Sequence, residues 1–273
     1  MKPNLLHGRV LSIAGSDSGG GAGIQADIKA VTALGGYAMT AVTAITVQDT
    51  NGVSDIHAVP DAIVAAQART VLADLGADCI KTGMLGTPSL IAAVADVLDA
   101  EARAIPLVVD PVMVAKGGAR LLADSAVGAM KTRLLPLAAL ITPNLPEAGV
   151  LIGRPVASLS DMLHAIGDLR ALGARAVLLK GGHLDAGEIV DVYEGPEGRH
   201  EWRSPRIATR HTHGTGCTLA SAIATGLAQG MTMIEAIARA RDYVRIAIQT
   251  APGFGKGHGP LNHAHTVEPF NGV

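Results

Sequence analysis

The chain alternates short apolar segments with longer segments of helical periodicity, and this alternation constrains the fold more than any other feature. Strand-like segments such as RVLSIAG, IPLVVDPVM, AALITPN and AVLLKGG are largely apolar, and helical segments such as GIQADIKAVTALGG and TPSLIAAVADVLDA lie between them. Strands buried on both faces of a parallel sheet lose the polar alternation of half-exposed strands. Repeated strand–helix–strand units build such a sheet. The sequence therefore predicts an α/β protein with a mostly parallel central sheet flanked by helices on both faces.

The second half of the chain adds a different element. Residues 188–207, EIVDVYEGPEGRHEWRSPRI, predict two strands around a Gly/Pro turn, which is a small β element. Two helices are predicted over 215–229 and 231–249, and the tail after them is predicted to be a loop with His263 and His265 at the surface. No linker or internal repeat interrupts the pattern, so residues 1–273 are predicted to form a single domain.

Composition excludes several functional classes. The net charge is −2 and no basic cluster is present, which argues against nucleic-acid binding through a cationic face. The two cysteines, Cys79 and Cys217, are far apart, so a reducing compartment is expected rather than a disulfide framework. No segment approaches the roughly 20 uninterrupted apolar residues that span a bilayer. A cytoplasmic protein without membrane contact is expected.

Conspicuous polar and sulfur-containing residues follow the predicted strands. In open parallel sheets, ligands bind beyond the carboxyl ends of the strands. The strand-end residues are Asp17, Gln48, Met84, Asp110, Asn144 and Lys180. This coincidence predicts one ligand-binding cleft at that edge of the sheet.

Two familiar phosphate-binding motifs do not fit the chain. The Gly-Lys pair in GFGKGH is followed by Gly257 where a Walker loop has Ser or Thr, and no strand precedes it. Gly21, Gly23 and Ala26 satisfy the glycine spacing of a dinucleotide-binding loop, but no acidic residue lies between positions 27 and 49 to bind a ribose. A nicotinamide-dependent enzyme is therefore disfavoured.

The segment HGTGCTLASA offers a third arrangement. Gly214 and Gly216 allow close approach of the backbone, and the first turn of a helix leaves N–H groups that attract an anion. These residues predict an anion hole at a helix start. Taken alone, the same segment is equally consistent with an ordinary glycine-rich loop.

Seven segments carry a family resemblance over about residues 9–265: AGSDSGGGAGIQADIK, VTAITVQDTNGV, KTGML, VVDPVMVAKGGARLL, ITPNLPEA, LLKGGH and HTHGTGCTLASAIA. In this order they resemble the hydroxymethylpyrimidine/phosphomethylpyrimidine kinases of the ribokinase-like superfamily. The resemblance implies that ATP, with Mg²⁺, phosphorylates 4-amino-5-hydroxymethyl-2-methylpyrimidine and then its monophosphate. It also implies small-molecule partners and, from superfamily relatives, a homodimer.

The resemblance assigns four residues to the pyrimidine pocket. A primary amide matches the donor and the acceptor of an aminopyrimidine edge, and Gln48 is the candidate. Asp27, Met84 and Gly15 are the other candidates, with Met84 packing on the ring. Without the resemblance, Gln48 would be a turn residue, Asp27 a surface acid and Met84 a core residue.

The resemblance assigns other residues to ATP and its metal. Lys180 and Thr215 are candidates for the phosphates, and Asn144, Glu147 and Asp110 for Mg²⁺, which commonly keeps several waters. The structural alternatives are a strand-end lysine lying along the surface, a helix cap formed by Asn144 and Glu147, and a loop-capping Asp110.

Cys217 stands where many sugar kinases of the superfamily have an aspartate base. We expect the helix N-terminus to lower the thiol pKa, so that Cys217, with Gly214, Gly216 and Lys180, forms the catalytic group. The alternative is a small buried cysteine at a tight helix start. The segment over 112–122, VMVAKGGARLL, is predicted to be a mobile flap.

Three other functions are alternatives to the pyrimidine kinase. A pyridoxal-type kinase shares the implied fold and the base position, but Gln48 and the segment QADIK favour the aminopyrimidine. A ligand-binding regulator would not need Lys180, Asn144, Glu147 and an anion hole together. A nicotinamide enzyme lacks the ribose-binding acid.

Overall fold

A computed structural model of the chain describes residues 7–114, 118, 121–184 and 187–268. Five residues of the predicted flap, at positions 115–117, 119 and 120, lie outside the described residues. The predicted mobility of the flap therefore stays a prediction.

The described part of the chain contains one nine-stranded sheet in the order β3-β2-β1-β4-β5-β6-β7-β8-β9. The strands span Arg9–Asp17 (β1), Tyr37–Gln48 (β2), Val53–Ala58 (β3), Cys79–Thr82 (β4), Leu107–Val109 (β5), Leu140–Ile141 (β6), Val177–Leu179 (β7), Glu188–Gly195 (β8) and Gly198–Pro205 (β9). Six neighbouring strands are parallel: β2, β1, β4, β5, β6 and β7. Strand β3 is added antiparallel at one edge, and the antiparallel hairpin of β8 and β9 is added at the other. The predicted mostly parallel sheet is confirmed.

The helices form two layers. They span Gly23–Ala33 (α1), Asp61–Asp74 (α2), Pro88–Glu101 (α3), Asp124–Ala129 (α4), Leu145–Ile152 (α5), Leu159–Arg170 (α6), Thr215–Ala228 (α7) and Met233–Gln249 (α8). Helices α2 to α6 pack on one face of the sheet, and α1, α7 and α8 pack on the other. Alternate side chains of β1 serve the two layers, since Leu11 and Ile13 face the first and Val10 the second. Among the described helices, none is both long and apolar enough to cross a membrane.

Two β segments of the structure differ from the sequence prediction. The 188–207 element does form a hairpin, but it extends the main sheet through pairing of β8 with β7. Strand β3 was not predicted, because five of its six residues are exposed and leave no burial pattern in the sequence.

The tail histidines also need correction. His263 is buried and its Nε2 lies 2.9 Å from the hydroxyl of Thr218 on α7. Burial lowers the pKa of His263 to about 4. His265 is half-buried and contacts the carbonyl of Tyr243 on α8. The tail therefore packs on the α7 and α8 layer instead of lying free at the surface.

Candidate active site

A cleft of about 1240 Å³ opens at the carboxyl ends of the parallel strands. The six predicted strand-end residues all line it: Asp17, Gln48, Met84, Asp110, Asn144 and Lys180. The same cleft is lined by the further candidates Gly15, Glu147, Gly214, Thr215, Gly216 and Cys217. Asp27 is the one candidate that does not reach its wall.

The start of α7 forms one wall of this cleft. Gly214 precedes the helix with φ +80°, and a Cβ there would lie 1.8 Å from the carbonyl oxygen of Gly21. Only glycine fits this left-handed position and this close backbone contact. No side chain caps the helix. The N–H of Thr215 donates a long hydrogen bond of 3.4 Å to the Thr212 carbonyl, and the neighbouring N–H groups of the first turn are left for water or a ligand. The arrangement supports the predicted anion hole.

Lys180 and Asp110 form a charged pair beside the first turn of α7. Lys180 Nζ lies 3.1 Å from Asp110 Oδ1, and Asp110 also accepts a hydrogen bond from the Thr142 hydroxyl at 3.2 Å. A Cβ at Gly216 would lie 3.3 Å from Asp110 Oδ2 and 3.4 Å from Lys180 Nζ. The absence of a side chain at Gly216 therefore brings the helix backbone next to the pair.

Glu147 completes this charged group. Burial raises the pKa of Glu147 to about 7, with Lys180 opposing the rise and Asp110 adding to it. Burial by itself lowers the pKa of Lys180, but Asp110 and Glu147 outweigh burial and hold that pKa above its ordinary value. Lys180 therefore stays a cation between two carboxyl groups, and Glu147 is only partly ionised at neutral pH.

Asn144 and Glu147 also cap helix α5. Asn144 Oδ1 accepts the N–H of Glu147, and Glu147 Oε2 accepts the N–H of Asn144, both at 2.9 Å. Proline in the first turn suits a helix that begins here. The capping interpretation is confirmed, and each side chain keeps part of its hydrogen-bonding capacity for the cleft.

The expected lowering of the Cys217 pKa is wrong. Cys217 lies partly exposed on the cleft wall. Burial raises the pKa of its thiol to about 11, and Asp27 and Asp110 add to the rise, while Lys81 opposes it. Burial and the two carboxylates thus outweigh Lys81 and the N–H of Gly23, and the thiol is neutral at physiological pH in the ligand-free protein.

The pocket assignment of Asp27 also needs correction. Its carboxylate is fully buried and contacts Lys81 Nζ at 2.9 Å through both oxygens. It also accepts hydrogen bonds from Ser12 at 2.5 Å and from Ser221 at 2.6 Å. Burial by itself lowers the pKa of Lys81, but Asp27 and other anionic groups nearby reverse this and raise it. Asp27 therefore ties α1 to β1, β4 and α7 behind the cleft, and it is neither a pocket residue nor a surface acid.

Asp17 and His213 form a buried pair that sequence reasoning did not assemble. Asp17 Oδ2 lies 2.8 Å from His213 Nε2 and accepts the backbone N–H groups of Gly21 at 3.0 Å and Ala22 at 2.8 Å. Burial alone would raise the pKa of Asp17, but these bonds from His213 and the backbone hold it below its ordinary value. The sequence signal was an acid at a strand end followed by a glycine run, SDSGGG, which is typical of a carboxylate that folds a turn around itself.

Gln48 and Met84 both line the cleft, at the ends of strands on either side of β1. The amide of Gln48 has one end 3.3 Å from His213 Nε2 and the other 3.1 Å from the Thr46 hydroxyl. A Cβ at Gly15 would lie 2.5 Å from the Met84 methyl group. Gly15 therefore leaves the space that Met84 fills, and the thioether is held against the cleft.

Comparison with known proteins agrees with this geometry. The sequence profile of the phosphomethylpyrimidine kinase family matches residues 17–262. The thiamine biosynthesis bifunctional protein ThiED of Geobacter sulfurreducens is 54% identical over 261 residues, which are 96% of this chain and 53% of that protein, so the chain spans about half its length. The hydroxymethylpyrimidine/phosphomethylpyrimidine kinase of Streptomyces coelicolor is 47% identical over 254 residues and is matched over 93% of both chains.

Among solved structures, an ADP complex of Bacillus subtilis pyridoxal kinase has a TM-score of 0.87 and 37% identity, covering 94% of this chain and 98% of that one. The layered sheet described above is the ribokinase-like fold that such kinases share. From the family profile, the identities and the fold, we conclude that the chain belongs to the phosphomethylpyrimidine kinase family.

Proposed function

We propose that this protein transfers the γ-phosphoryl group of ATP to the hydroxymethyl group of 4-amino-5-hydroxymethyl-2-methylpyrimidine and then to the resulting monophosphate, in thiamine biosynthesis. One observation carries the proposal. A single cleft holds an amide and a thioether for a flat aminopyrimidine, and a lysine–carboxylate group beside an uncapped helix start for phosphates. The family membership and the names of the full-length relatives support it.

The pyrimidine is proposed to lie between Gln48 and Met84. The primary amide of Gln48 offers a donor and an acceptor to the amino group and the adjacent ring nitrogen. The thioether of Met84, which Gly15 leaves room for, packs on the ring face. The hydroxymethyl group is proposed to point toward α7.

The phosphates are proposed to bind at the start of α7. Phosphoryl transfer depends mainly on positioning and on stabilising charge on the transferred group. The backbone N–H groups of Gly214 and Gly216 donate to the phosphoryl oxygens, Thr215 lies between them and would redirect its N–H from the Thr212 carbonyl, and the ammonium of Lys180 neutralises developing charge. Lys180 is suited to this role because Asp110, with a smaller contribution from the partly ionised Glu147, holds its pKa above the ordinary value.

The same region fits a magnesium ion that arrives with the nucleotide. Among the described residues, no cluster of three or more Asp, Glu, His or Cys side chains could hold a metal alone. Mg²⁺ commonly takes one or two carboxylates and completes its shell with substrate phosphates and water. Asp110 and Glu147, with Asn144 beside them, are the groups that would hold it, and when bound it would neutralise phosphate charge.

Cys217 is proposed to act on the attacking hydroxyl. As a base it has to work from the thiolate, which burial disfavours in the ligand-free protein. The alternative is that the neutral thiol only shapes the anion hole. The two roles differ in their effect on the two acceptors, because only the hydroxyl acceptor has to lose a proton.

Incubation with Mg·ATP and each acceptor tests the proposed function. We expect ADP together with the monophosphate and then the diphosphate of hydroxymethylpyrimidine. A chain that releases no ADP with this acceptor, while its fold is intact by circular dichroism, would contradict the proposal.

Pyridoxal phosphorylation is the second candidate. The observation that favours it is the high structural similarity to Bacillus subtilis pyridoxal kinase. Pyridoxal lacks the amino group beside a ring nitrogen that a primary amide matches, so Gln48 favours the aminopyrimidine. A higher kcat/KM for pyridoxal in the same assay would make this candidate the main activity.

We also propose that residues 1–273 act as one cytoplasmic kinase domain that forms a homodimer. Ile45 and Val47 are 53% and 58% exposed on one face of β2 near the sheet edge, where neighbouring apolar side chains suit a second copy. Light scattering that gives the monomer mass would contradict the dimer.

A further inference from the structure

The direction in which Gln48 presents its amide is set by two neighbours with fixed hydrogen atoms. The first is His213. Its Nε2 is 2.8 Å from Asp17 Oδ2, and Asp17 is a carboxylate that can only accept. Nε2 must therefore carry a hydrogen in both the neutral and the protonated imidazole. The ring itself cannot turn away, because it is buried and packs on the backbone at Gly21, where a Cβ would lie 2.4 Å from His213 Cδ2.

This hydrogen decides which end of the Gln48 amide can face the imidazole. With the amide nitrogen on that side, two donors meet at 3.3 Å, and the amide N–H finds no acceptor on Nε2, whose hydrogen is donated to Asp17. With the amide oxygen there, the Nε2 hydrogen of His213 is shared between two acceptors, the Gln48 carbonyl and the Asp17 carboxylate. Amide oxygen and nitrogen are distinguished by their partners, and these partners require oxygen.

Thr46 gives an independent second argument. Its hydroxyl lies 2.9 Å from the carbonyl of Ser16 and 3.1 Å from the other end of the Gln48 amide. A hydroxyl has one hydrogen, so it cannot donate to both the Ser16 carbonyl and an amide oxygen. If the amide nitrogen faces Thr46, the hydroxyl donates to Ser16 and accepts from Gln48. One rotation of the amide thus resolves both conflicts.

From this geometry we infer that Asp17, His213 and Thr46 are positioning residues that fix the Gln48 carbonyl on the His213 side and the Gln48 NH₂ on the Thr46 side, and so determine specificity for a 4-aminopyrimidine over a 4-oxopyrimidine. The inference deepens the proposed function and rests on it. The amino group of the acceptor donates to the carbonyl, and the adjacent ring nitrogen accepts from the NH₂. A 4-oxo ring presents an acceptor and a ring N–H in the same two places and needs the reversed amide, which His213 and Thr46 oppose.

The experiment compares kcat/KM for 4-amino-5-hydroxymethyl-2-methylpyrimidine and for its 4-oxo analogue, with Mg·ATP, in the full chain. In His213→Leu and in Thr46→Val, we expect the preference for the amino ring to fall about tenfold or more, because the amide becomes free to reverse. His213→Gln, which can supply an N–H at the same place, should restore most of the preference. Lys180→Ala is the control, since it should slow both acceptors by the same factor.

A ratio between two acceptors does not depend on the folded fraction, so partial unfolding of a variant does not change it. If His213→Leu does not fold, Thr46→Val carries the test alone, since it keeps the shape of the side chain. An unchanged preference in the folded variants would overturn the inference. If the wild-type protein does not phosphorylate the amino ring at all, the proposed function fails instead, so the two failures are distinguishable.

Discussion

Lys81 Nζ lies 2.9 Å from each carboxylate oxygen of Asp27, and both side chains are completely buried. The pair joins the middle of the sheet to α1, and Ser221 extends it to α7 one turn beyond Cys217. Buried charges are costly to separate because removal of one leaves the other unpaired in a medium of low polarity.

Asp27→Ala should therefore lower the free energy of unfolding by about 3–5 kcal/mol. The exposed pair of Arg69 and Glu101 offers a matched control, and Arg69→Ala should cost no more than about 1 kcal/mol. Urea unfolding measures both. A double Asp27→Leu/Lys81→Met variant should lose less than Asp27→Ala, and comparable losses for Asp27→Ala and Arg69→Ala would contradict a structural role for the buried pair.

Lys180→Ala should reduce kcat by about 10²–10³-fold, because a preorganised cation beside the transferred phosphoryl group is lost. Lys29→Ala is the control, since Lys29 is an exposed cation on α1 whose ammonium donates to the Gly20 carbonyl. Steady-state kinetics and thermal unfolding are measured together. A severe loss of stability with full activity in the folded fraction would assign Lys180 to structure.

Cys217→Ala should slow the first phosphorylation by about 10²–10⁴-fold if the thiol acts as a base. The second acceptor is a phosphate monoester with a pKa near 6 that is already mostly ionised, so the second step should lose much less. Cys217→Asp should spare the first step and harm the second by repelling the dianion. Each step is measured separately from its own acceptor, and equal losses in Cys217→Ala would show that the thiol only shapes the anion hole.

The pKa of about 11 for Cys217 predicts how its alkylation depends on pH. The thiolate is the reactive form, so the rate with iodoacetamide should keep rising about tenfold per pH unit from pH 7 to pH 10. A thiol activated by its helix would instead level off below pH 8. Cys217→Ala is the control, because it leaves only Cys79, which is fully buried.

Gln48→Leu should weaken binding of hydroxymethylpyrimidine by about 1–3 kcal/mol, because the aminopyrimidine edge is left without partners in a dry part of the cleft. ATP affinity should stay as it is. Titration calorimetry with each ligand measures both, and an unchanged pyrimidine affinity would remove Gln48 from the site.

The strand ends illustrate what a sequence can predict here. Asp110 and Lys180 each follow a short apolar run, and parallel strands place such residues at one edge, so their meeting follows from periodicity alone. The anion hole at Gly214 was only partly predictable, since a glycine pair before an Ala-rich helix is equally consistent with an ordinary loop until the family resemblance is added.

Properties that depend on three-dimensional surroundings were not accessible. Asp27 looks like an ordinary helix-surface acid, because nothing local shows that Lys81, from a strand 54 positions later, is buried against it. The prediction of a lowered pKa for Cys217 was wrong for a related reason. The helix start can be recognised in the local sequence, whereas the burial and the neighbouring carboxylates come from distant segments. The exposed strand β3 left no pattern at all.

The backbone contact between Gly21 and Gly214 joins the first and the last quarter of the chain. A nascent chain that has emerged only as far as β9 has the Lys180 and Asp110 side of the cleft but lacks α7, and with it the wall that receives phosphates. Ligands stabilise a protein only by binding its folded form. The wall that receives phosphates can therefore form only when synthesis is nearly finished, and a nucleotide cannot stabilise the early strands through that wall during co-translational folding.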